Sequence, residues 1–454
     1  MLAELLTIFP PILAIAVAVR TRNVYWALGA ALWVSETLIS SFNPGLGFLG
    51  AIDRSVGVLT SAGNARILLF CLIIGALIAY MQTSGGISAM VERLTRTGLA
   101  STPRRASLAT TLAGILLFVE TNISLLTTWI MGRPLFDRQA MSRERLAYVI
   151  DSTSAPVSVL IPLNGWGAYA LGLIAAYEFA SPLGVLLWSI PLNFYALLTL
   201  AGVFATALTN RTFGPMRDIA ARQDGEADAA APTRARYMAV PLIVLVGGAL
   251  GFMAYTGGGN ILNGSGSQSI LWAVIAATGV AFVMLVASGR FKSRALIDMG
   301  FEGMGALLPA VSVIFLSLAL GSSLRALGTG EVIAGLAEAF PAPFAFPAVI
   351  FLAGAATSFA TGTSWGTYGI LIPIAMPIAI GAGLPPALVL AAVLGGGVFG
   401  DHCSPISDTS IIASLAAGCE HIDHVRTQLP YALVGAVLAT GLYLAAGLWV
   451  VAGG

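Results

Sequence analysis

The chain has 454 residues, of which 57% are hydrophobic and only 9% charged, and its formal net charge is +1. A soluble domain carries about 25% charged residues, so the composition excludes a soluble enzyme or binding module and indicates an integral membrane protein. The near-zero charge gives no basis for a nucleic-acid partner and leaves the lipid bilayer as the surrounding medium. Three cysteines, Cys71, Cys403 and Cys419, lie in or beside apolar runs and make no disulfide framework.

The chain opens with MLAELLTIFPPILAIAVAV, which lacks a basic region before its apolar run, so it reads as a spanning helix and not a cleaved signal. Lipidation signals are absent. A span needs about 20 apolar residues. The first half offers Leu2–Val19, Val24–Ser41, Ile67–Thr83, Leu108–Met131, Leu146–Tyr177 and Pro182–Leu208. A charged interval follows, Thr209–Arg236, the one sizeable soluble-like loop. The second half offers Tyr237–Tyr255, Ile270–Ser288, Met304–Leu324, Phe344–Ala382, Pro386–Ala417 and Gln428–Ala452.

The two sets of six match at an offset of roughly 235–250 residues, which indicates an internal repeat. Local echoes share that offset. Phe118-Val-Glu-Thr-Asn faces Phe359-Ala-Thr-Gly-Thr, Asp151-Ser-Thr-Ser-Ala-Pro faces Asp401-His-Cys-Ser-Pro, and Gly85-Gly86-Ile87 faces Gly328-Thr-Gly330. The expected organisation is a first transmembrane repeat over residues 1–208, a cytoplasmic linker over 209–236 and a second repeat over 237–454.

Lys and Arg mark cytoplasmic loops. Arg20 and Arg22, then Arg93, Arg96, Arg104 and Arg105, then Arg133–Arg145, all read as inside. Leu108–Met131 therefore starts and ends on one face and is expected to be a re-entrant hairpin, its tip near Glu120-Thr121-Asn122. In the second half the uncharged Thr256–Ser269 reads as outside, and Arg290, Lys292 and Arg294 as inside. Phe344–Ala382 is then a second hairpin, entering from the other face, with its tip near Thr361-Gly362-Thr363-Ser364. Five crossings plus one hairpin per half is an odd count, so the halves run in opposite orientations. The fold class expected is an all-α polytopic membrane protein of two inverted-topology repeats, with broken helices at the midplane.

Four polar patches fall at membrane depth. Two are the hairpin tips: Glu120, Thr121, Asn122 and Ser124, then Thr357, Ser358, Thr361, Thr363 and Ser364. Two are breaks in the spans that follow: Asp151, Ser152, Thr153, Ser154 and Pro156, then Asp401, His402, Ser404 and Pro405, running on to Ser407, Asp408 and Thr409. Carboxylates inside a membrane are costly and mark ion pathways. Sodium takes oxygen ligands, which hydroxyls, freed carbonyls and a carboxylate supply at a helix break. A carboxylate there holds a sodium ion or a proton, and that competition is the simplest route to ion–proton exchange. For any single Ser or Thr the commoner role is a bond to its own helix backbone.

Other features are read less specifically. Glu36 is an unassigned carboxylate in the second span. PLNGWGAY places Asn164, Trp166 and Tyr169 after the first break, where aromatics usually form an interface belt but also suit an organic solute. Cys419, Glu420, His421, Asp423 and His424 are read as a solvated loop, ahead of a pH sensor or a zinc site. Arg325, the one late cation available to a carboxylate substrate, is placed at a helix end. No phosphate-cradling Gly-x-x-x-x-Gly-Lys-Ser/Thr motif occurs, so ATP-driven pumping has no support.

FGDHCSPISDTSIIASLAAG followed by HVRTQLPYAL resembles the NhaC-type Na+/H+ antiporters of the ion transporter superfamily. RPLFDRQAMSRERLAYVIDSTSAPVSVLIP and TGTSWGTYGILIPIA resemble them too, and the resemblance covers most of the chain. It implies Na+/H+ exchange or, in some members, coupled exchange of organic acids, and the superfamily implies inverted repeats, re-entrant hairpins and often a homodimer. One departure stands out: where many such sequences carry paired acids before the Arg-Pro, this chain has Glu120 and Thr121, which leaves room for an organic substrate.

The reading is a secondary active transporter in the plasma (inner) membrane, not an enzyme, exchanging Na+ for H+. The alternative is sodium- or proton-coupled transport of a small organic solute such as an amino acid or carboxylate. No cofactor is expected; Na+ and H+ are the transported or coupling ions. Asp401, Asp408, Ser407 and Thr361 are expected to hold sodium. Glu120, Thr121, Asn122, Asp151, Ser152, Thr153, Ser154, Asn164, Thr363, Ser364, His402, Ser404 and Thr409 complete the expected site.

Overall fold

The structure, a computed structural model, describes residues 6–21, 23–86, 89, 101–116, 118, 121–219, 233–260, 264–405 and 407–453. Glu120, Arg22, Ile87, Arg93, Arg96 and the linker stretch 220–232 lie outside the described residues, as do the side chains of Asn122 and Asp408.

Among the described residues the chain is helical, without strands. The first half runs through α1 (Phe9–Thr21), α2 (Val24–Ile39), α3 (Pro44–Thr60), α4 (Ala62–Thr83), α5 (Pro103–Leu116), α6 (Thr121–Arg138), α7 (Arg143–Ser152), α8 (Ala155–Leu160), α9 (Gly165–Ile174), α10 (Pro182–Ser189) and α11 (Phe194–Thr209). A short 3-10 turn at Gly214–Asp218 leads on. The second half holds α12 (Arg236–Thr256), α13 (Gly266–Ala287), α14 (Ser293–Ala326), α15 (Thr329–Glu338), α16 (Phe346–Thr361), α17 (Ser364–Gly381), α18 (Pro386–Cys403), α19 (Asp408–Ala417) and α20 (His421–Gly453). Among the described residues eight helices are long and apolar enough to cross a bilayer, or up to ten if two bent pairs each count as a span.

Where the two hairpins were expected, α5 packs against α6 and α16 against α17; both arms of the second pair are long and apolar enough to cross a bilayer. The second turns at Gly362, whose φ of 68° only glycine adopts without strain. The first is longer than Leu108–Met131: α6 continues through Pro134 to Arg138, so much of the segment read as a loop is helix.

The breaks follow backbone chemistry. Pro156 follows Ser154 at the first break, and Pro405 lies in the gap between α18 and α19. Leu146–Tyr177, expected as one span with one break, is broken twice. The second break, at 161–164, bends the chain by 40°, and Asn164 caps the new helix by accepting from the Gly167 N–H at 3.1 Å. Pro182–Leu208, expected as one span, falls within one candidate span, Pro182–Asp218, interrupted between α10 and α11, where Pro191 lies in the gap and Asn193 caps α11. Met304–Leu324 lies within a 34-residue helix carrying Pro309. Helix α3 was not expected: its glycines, Asp53 and Arg54 dilute the apolar signal.

Glu36 receives its explanation here. It is buried on α2, and its Oε1 accepts from Arg54 Nε of α3 and Ser323 Oγ of α14, both at 2.7 Å. It is a structural ion pair holding three helices together.

The breaks are positioned by close helix approach. A Cβ on Gly396 or Gly400 of α18 would strike the main chain of α16 at Phe351 and Phe359 respectively. Ser358 Oγ donates to the Gly397 carbonyl and Ser404 Oγ to the Phe359 carbonyl, each at 2.7 Å. The second break is thereby bonded to the second hairpin. On the other side Ser124 Oγ of α6 donates to the Gly114 carbonyl of α5 at 3.1 Å, and Gly114 sits against Thr153 of the first break.

Candidate ion-binding site

Asp401 occupies the last turn of α18 and is buried. Its Oδ2 accepts from Ser364 Oγ, the first residue of α17. Its Oδ1 accepts from Ser407 Oγ at 2.5 Å and, more distantly, from Thr409 Oγ1 at 3.5 Å. Ser407 and Thr409 hydroxyls are 2.9 Å apart. The helix break produces this convergence. Ser404 to Ser407 leave the helical path, so Ser407 and Thr409, at the start of α19, turn back over the carboxylate at the end of α18. A buried carboxylate and three hydroxyls form an all-oxygen cluster, the ligand type preferred by a hard cation.

Asp151, in the last turn of α7, lies in a second cluster and is fully buried. Its Oδ2 accepts from Gln428 Nε2 at 2.7 Å and Ser410 Oγ at 3.0 Å, with His424 Nε2 at 3.3 Å. Ser410 joins the clusters, since its hydroxyl also lies 3.4 Å from the Asp401 carbonyl. His402 lies between them, its Nε2 2.9 Å from Ser152 Oγ and its Nδ1 2.8 Å from Tyr195 OH. Asp151 lies about six residues, roughly 9 Å, from Arg145 along the helix and is buried against α19 and α20.

Of the four residues expected to hold sodium, Asp401 and Ser407 are in direct contact. Thr361 is bonded to carbonyls of its own helix end, Thr357 at 2.9 Å and Ser358 at 3.4 Å, and Ser364 takes the position against Asp401. The side chain of Asp408 is outside the described set, as is Glu120. Ser364, Thr409, Asp151, Ser152 and His402 belong to the two clusters. Thr153 and Ser154 donate to their own helix, to Val149 and Asp151 carbonyls at 2.7 and 2.8 Å. Ser404 joins break to hairpin, and Thr363 contributes its carbonyl to Thr367 at 2.9 Å. Thr121 accepts from Trp166 Nε1 at 3.0 Å, so this tryptophan is interior and not an interface anchor. Trp166 packs against Trp365 of the second hairpin with centroids 4.7 Å apart, and Trp365 stacks on Tyr169 at 5.3 Å.

Asn164 Nδ2 donates to the Phe118 carbonyl at 3.0 Å and the Ser158 carbonyl at 2.8 Å. With its cap to Gly167, its amide is committed to the fold. Arg325 lies at the end of α14, as expected, and lines a cavity of about 820 Å³ with Asn64, Ser181 and Ser322.

Tyr195, Ser410, His424 and Gln428 were not anticipated. The segment CEHIDH, read as a solvated loop, is instead the entry to α20, which begins at His421 and buries His424 and Gln428. The spacing of four between them, one helical face, was the available signal. His421 bonds Ser414 Oγ at 3.2 Å and the Pro405 carbonyl at 2.8 Å. Among the described residues no group of three His, Cys, Asp or Glu side chains is placed to hold a metal ion.

With this geometry in place, comparison with known proteins is direct. Residues 165–448 match the Na+/H+ antiporter family. An uncharacterized protein of Haemophilus influenzae is 30% identical over 97% of this chain and 90% of its own length. The Na(+)/H(+) antiporter NhaC of Alkalihalophilus pseudofirmus is 36% identical over 19% of each chain. In fold, the chain is similar to the YdaH transporter of Alcanivorax borkumensis, with a TM-score of 0.59 and 16% identity, covering 90% of this chain and 89% of that one. The family match, spanning more than half of the sequence from α9 to near the end of α20, makes this multi-pass membrane protein a member of the Na+/H+ antiporter family of secondary active transporters.

Proposed function

We propose that the chain exchanges sodium for protons across the plasma (inner) membrane at a site centred on Asp401. The observation that carries this reading is the all-oxygen cluster of Asp401, Ser364, Ser407 and Thr409 at the helix break. When sodium binds, the hydroxyl lone pairs turn to the ion and the carboxylate supplies the charge. When a proton binds, the carboxyl is neutral and the hydroxyls bond one another and the acid. The two occupancies exclude each other, so each passage of the site from one face to the other carries one kind of cation. The expected inverted repeat, with linker 209–236 between repeats 1–208 and 237–454, is the device proposed for alternating access. A homodimer is the proposed assembly, on the strength of the resemblance.

The organic-solute reading is not favoured. The amide of Asn164, its suggested contact, is fully engaged in the fold, and Trp166 Nε1 is bonded to Thr121.

The deciding experiment is transport in liposomes. A sodium gradient is imposed and internal pH recorded, with and without a panel of radiolabelled amino acids and organic acids. Sodium-driven proton movement without any solute is the expected result. Sodium that moves no protons, alongside sodium-dependent uptake of one solute, would refute the proposal.

A further inference from the structure

The donors around Asp151 are distributed one-sidedly. Gln428, Ser410 and His424 all address Oδ2, from α20 and α19. Oδ1, equally buried, has no partner among the described residues, and neither has Oε1 of Gln428 or Nδ1 of His424. The amide of Gln428 is held in one orientation, because its nitrogen faces two acceptors, Asp151 Oδ2 and the His402 carbonyl. Its oxygen is therefore the free atom. His424 directs Nε2 at the same oxygen, so its other ring nitrogen, Nδ1, points away from the carboxylate. The two unpartnered oxygens, Asp151 Oδ1 and Gln428 Oε1, belong to side chains in direct contact and are both acceptors. Leaving buried acceptors unpaired is costly, and one species satisfies them together, a cation.

We propose that Asp151 and Gln428, with His424 bracing the carboxylate, form a second cation-binding site, separate from the Asp401 cluster and coupled to it through Ser410. Its ligand is a small monovalent cation, sodium or a proton-bearing water. The groups facing it are Asp151 of α7, His402 of α18, Tyr195 of α11 through His402, and Ser410 of α19. A cavity of about 390 Å³ reaches Thr427, whose hydroxyl donates to the His424 carbonyl at 2.9 Å. That cavity is lined by Glu144, Asp218, Asp423 and Arg426, a net negative set that favours cations over anions. The two sites share Ser410, so filling one alters the hydroxyl available to the other. The proposal takes from the reading above only that cations are the cargo; it does not need Asp401 to be the sodium ligand.

The test is equilibrium binding of radiolabelled sodium to the purified full-length chain in detergent, with proton uptake counted by titration from mildly alkaline to mildly acidic pH in sodium-free buffer. Wild type, D401N, D151N and Q428L are compared. If the second cation is sodium, D151N binds one sodium fewer per chain than wild type. If it is a proton-bearing water, D151N keeps the sodium count and takes up one proton fewer. Q428L preserves every charge and should weaken that cation about tenfold, which keeps the test decisive where D151N does not fold. Wild-type sodium and proton counts in D151N, or wild-type affinity in Q428L, overturn the proposal. D401N reports separately on the sodium site: an unchanged sodium count there removes Asp401 as a ligand and leaves the Asp151 comparison intact.

Discussion

Replacing Asp401 by Asn removes the charge and keeps the shape. Ser407 and Thr409 still meet an amide oxygen, and Ser364 can accept from the new N–H, so the hydrogen-bond network around the position survives. What is lost is the attraction between a carboxylate and a bound sodium ion. At 4 Å and an effective dielectric of 20 that attraction is about 4 kcal/mol, and a closer ion does not lower it. The apparent affinity for sodium should therefore fall about a thousandfold. The assay is initial-rate proton movement in liposomes against external sodium, with thermal melting of the same preparation to establish folding. D401N should be folded and unresponsive at sodium concentrations that saturate wild type. A folded D401N protein whose KM for sodium is within a few-fold of wild type would show that Asp401 is not a ligand.

Further outcomes follow from the same geometry. Ser407→Ala removes one hydroxyl from the carboxylate and should raise the sodium KM roughly tenfold, since a bond to a charged group contributes about 1.5 kcal/mol or more; an unchanged KM in the liposome assay counts against the cluster. Asp408→Asn should abolish sodium-dependent turnover in a folded protein, and near-normal transport would remove Asp408 from the site. Glu36→Ala breaks a pair whose acid is 5% and whose base is 28% exposed. It should cost about 2 kcal/mol of stability after allowing for solvent at the arginine, read as a lower melting temperature with turnover per folded protein unchanged. Gly400→Ala drives a methyl into the α16 backbone and should destabilise by about 1–3 kcal/mol, seen as loss of folded yield. Burial, and then the charges of Glu144 and Asp423, push the Cys419 thiol up to about 12. The thiolate is then scarce at neutral pH and grows tenfold per unit as pH rises towards that value, so maleimide labelling of the native protein should be slow and accelerate in step.

Much of the architecture could be read before the structure because it rests on local chemistry. Gly362, Pro156 and Pro405 disfavour a continuing helix and marked one turn and both principal breaks, although Pro134 and Pro309 sit inside helices that continue. Asp401 and Ser407 could be placed side by side because the break between them is short enough to fold back. Tertiary partners were harder. Gln428 and His424 contact Asp151 from 277 and 273 residues away, and nothing near them in sequence announces that. Their polar entry segment resembles any loop until its helical face is known to be buried. Glu36 was opaque for the same reason, its partner Arg54 lying in a helix whose hydrophobic signal is weak. Thr361 shows the converse: a hydroxyl at the correct tip whose partners are its own helix carbonyls.

The amide of Asn164 joins the Phe118 carbonyl at the first hairpin to the Ser158 carbonyl at the break, and Trp166 reaches Thr121 at the start of α6. The hairpin tip and the broken helix are thereby stapled into one body, as Ser358, Ser404 and the glycine contacts make one body of α16 and α18. Motion between the two bodies must then be taken up at the seam they share, where Ser152 meets His402, Ser410 meets Asp151, and Trp166 meets Trp365. That seam consists of hydroxyl, amide and imidazole hydrogen bonds and the packing of Trp365 on Trp166 and Tyr169, contacts that can break and re-form. Under the alternating access proposed above, this seam is where the two bodies would slide, while the staples hold each helix pair together.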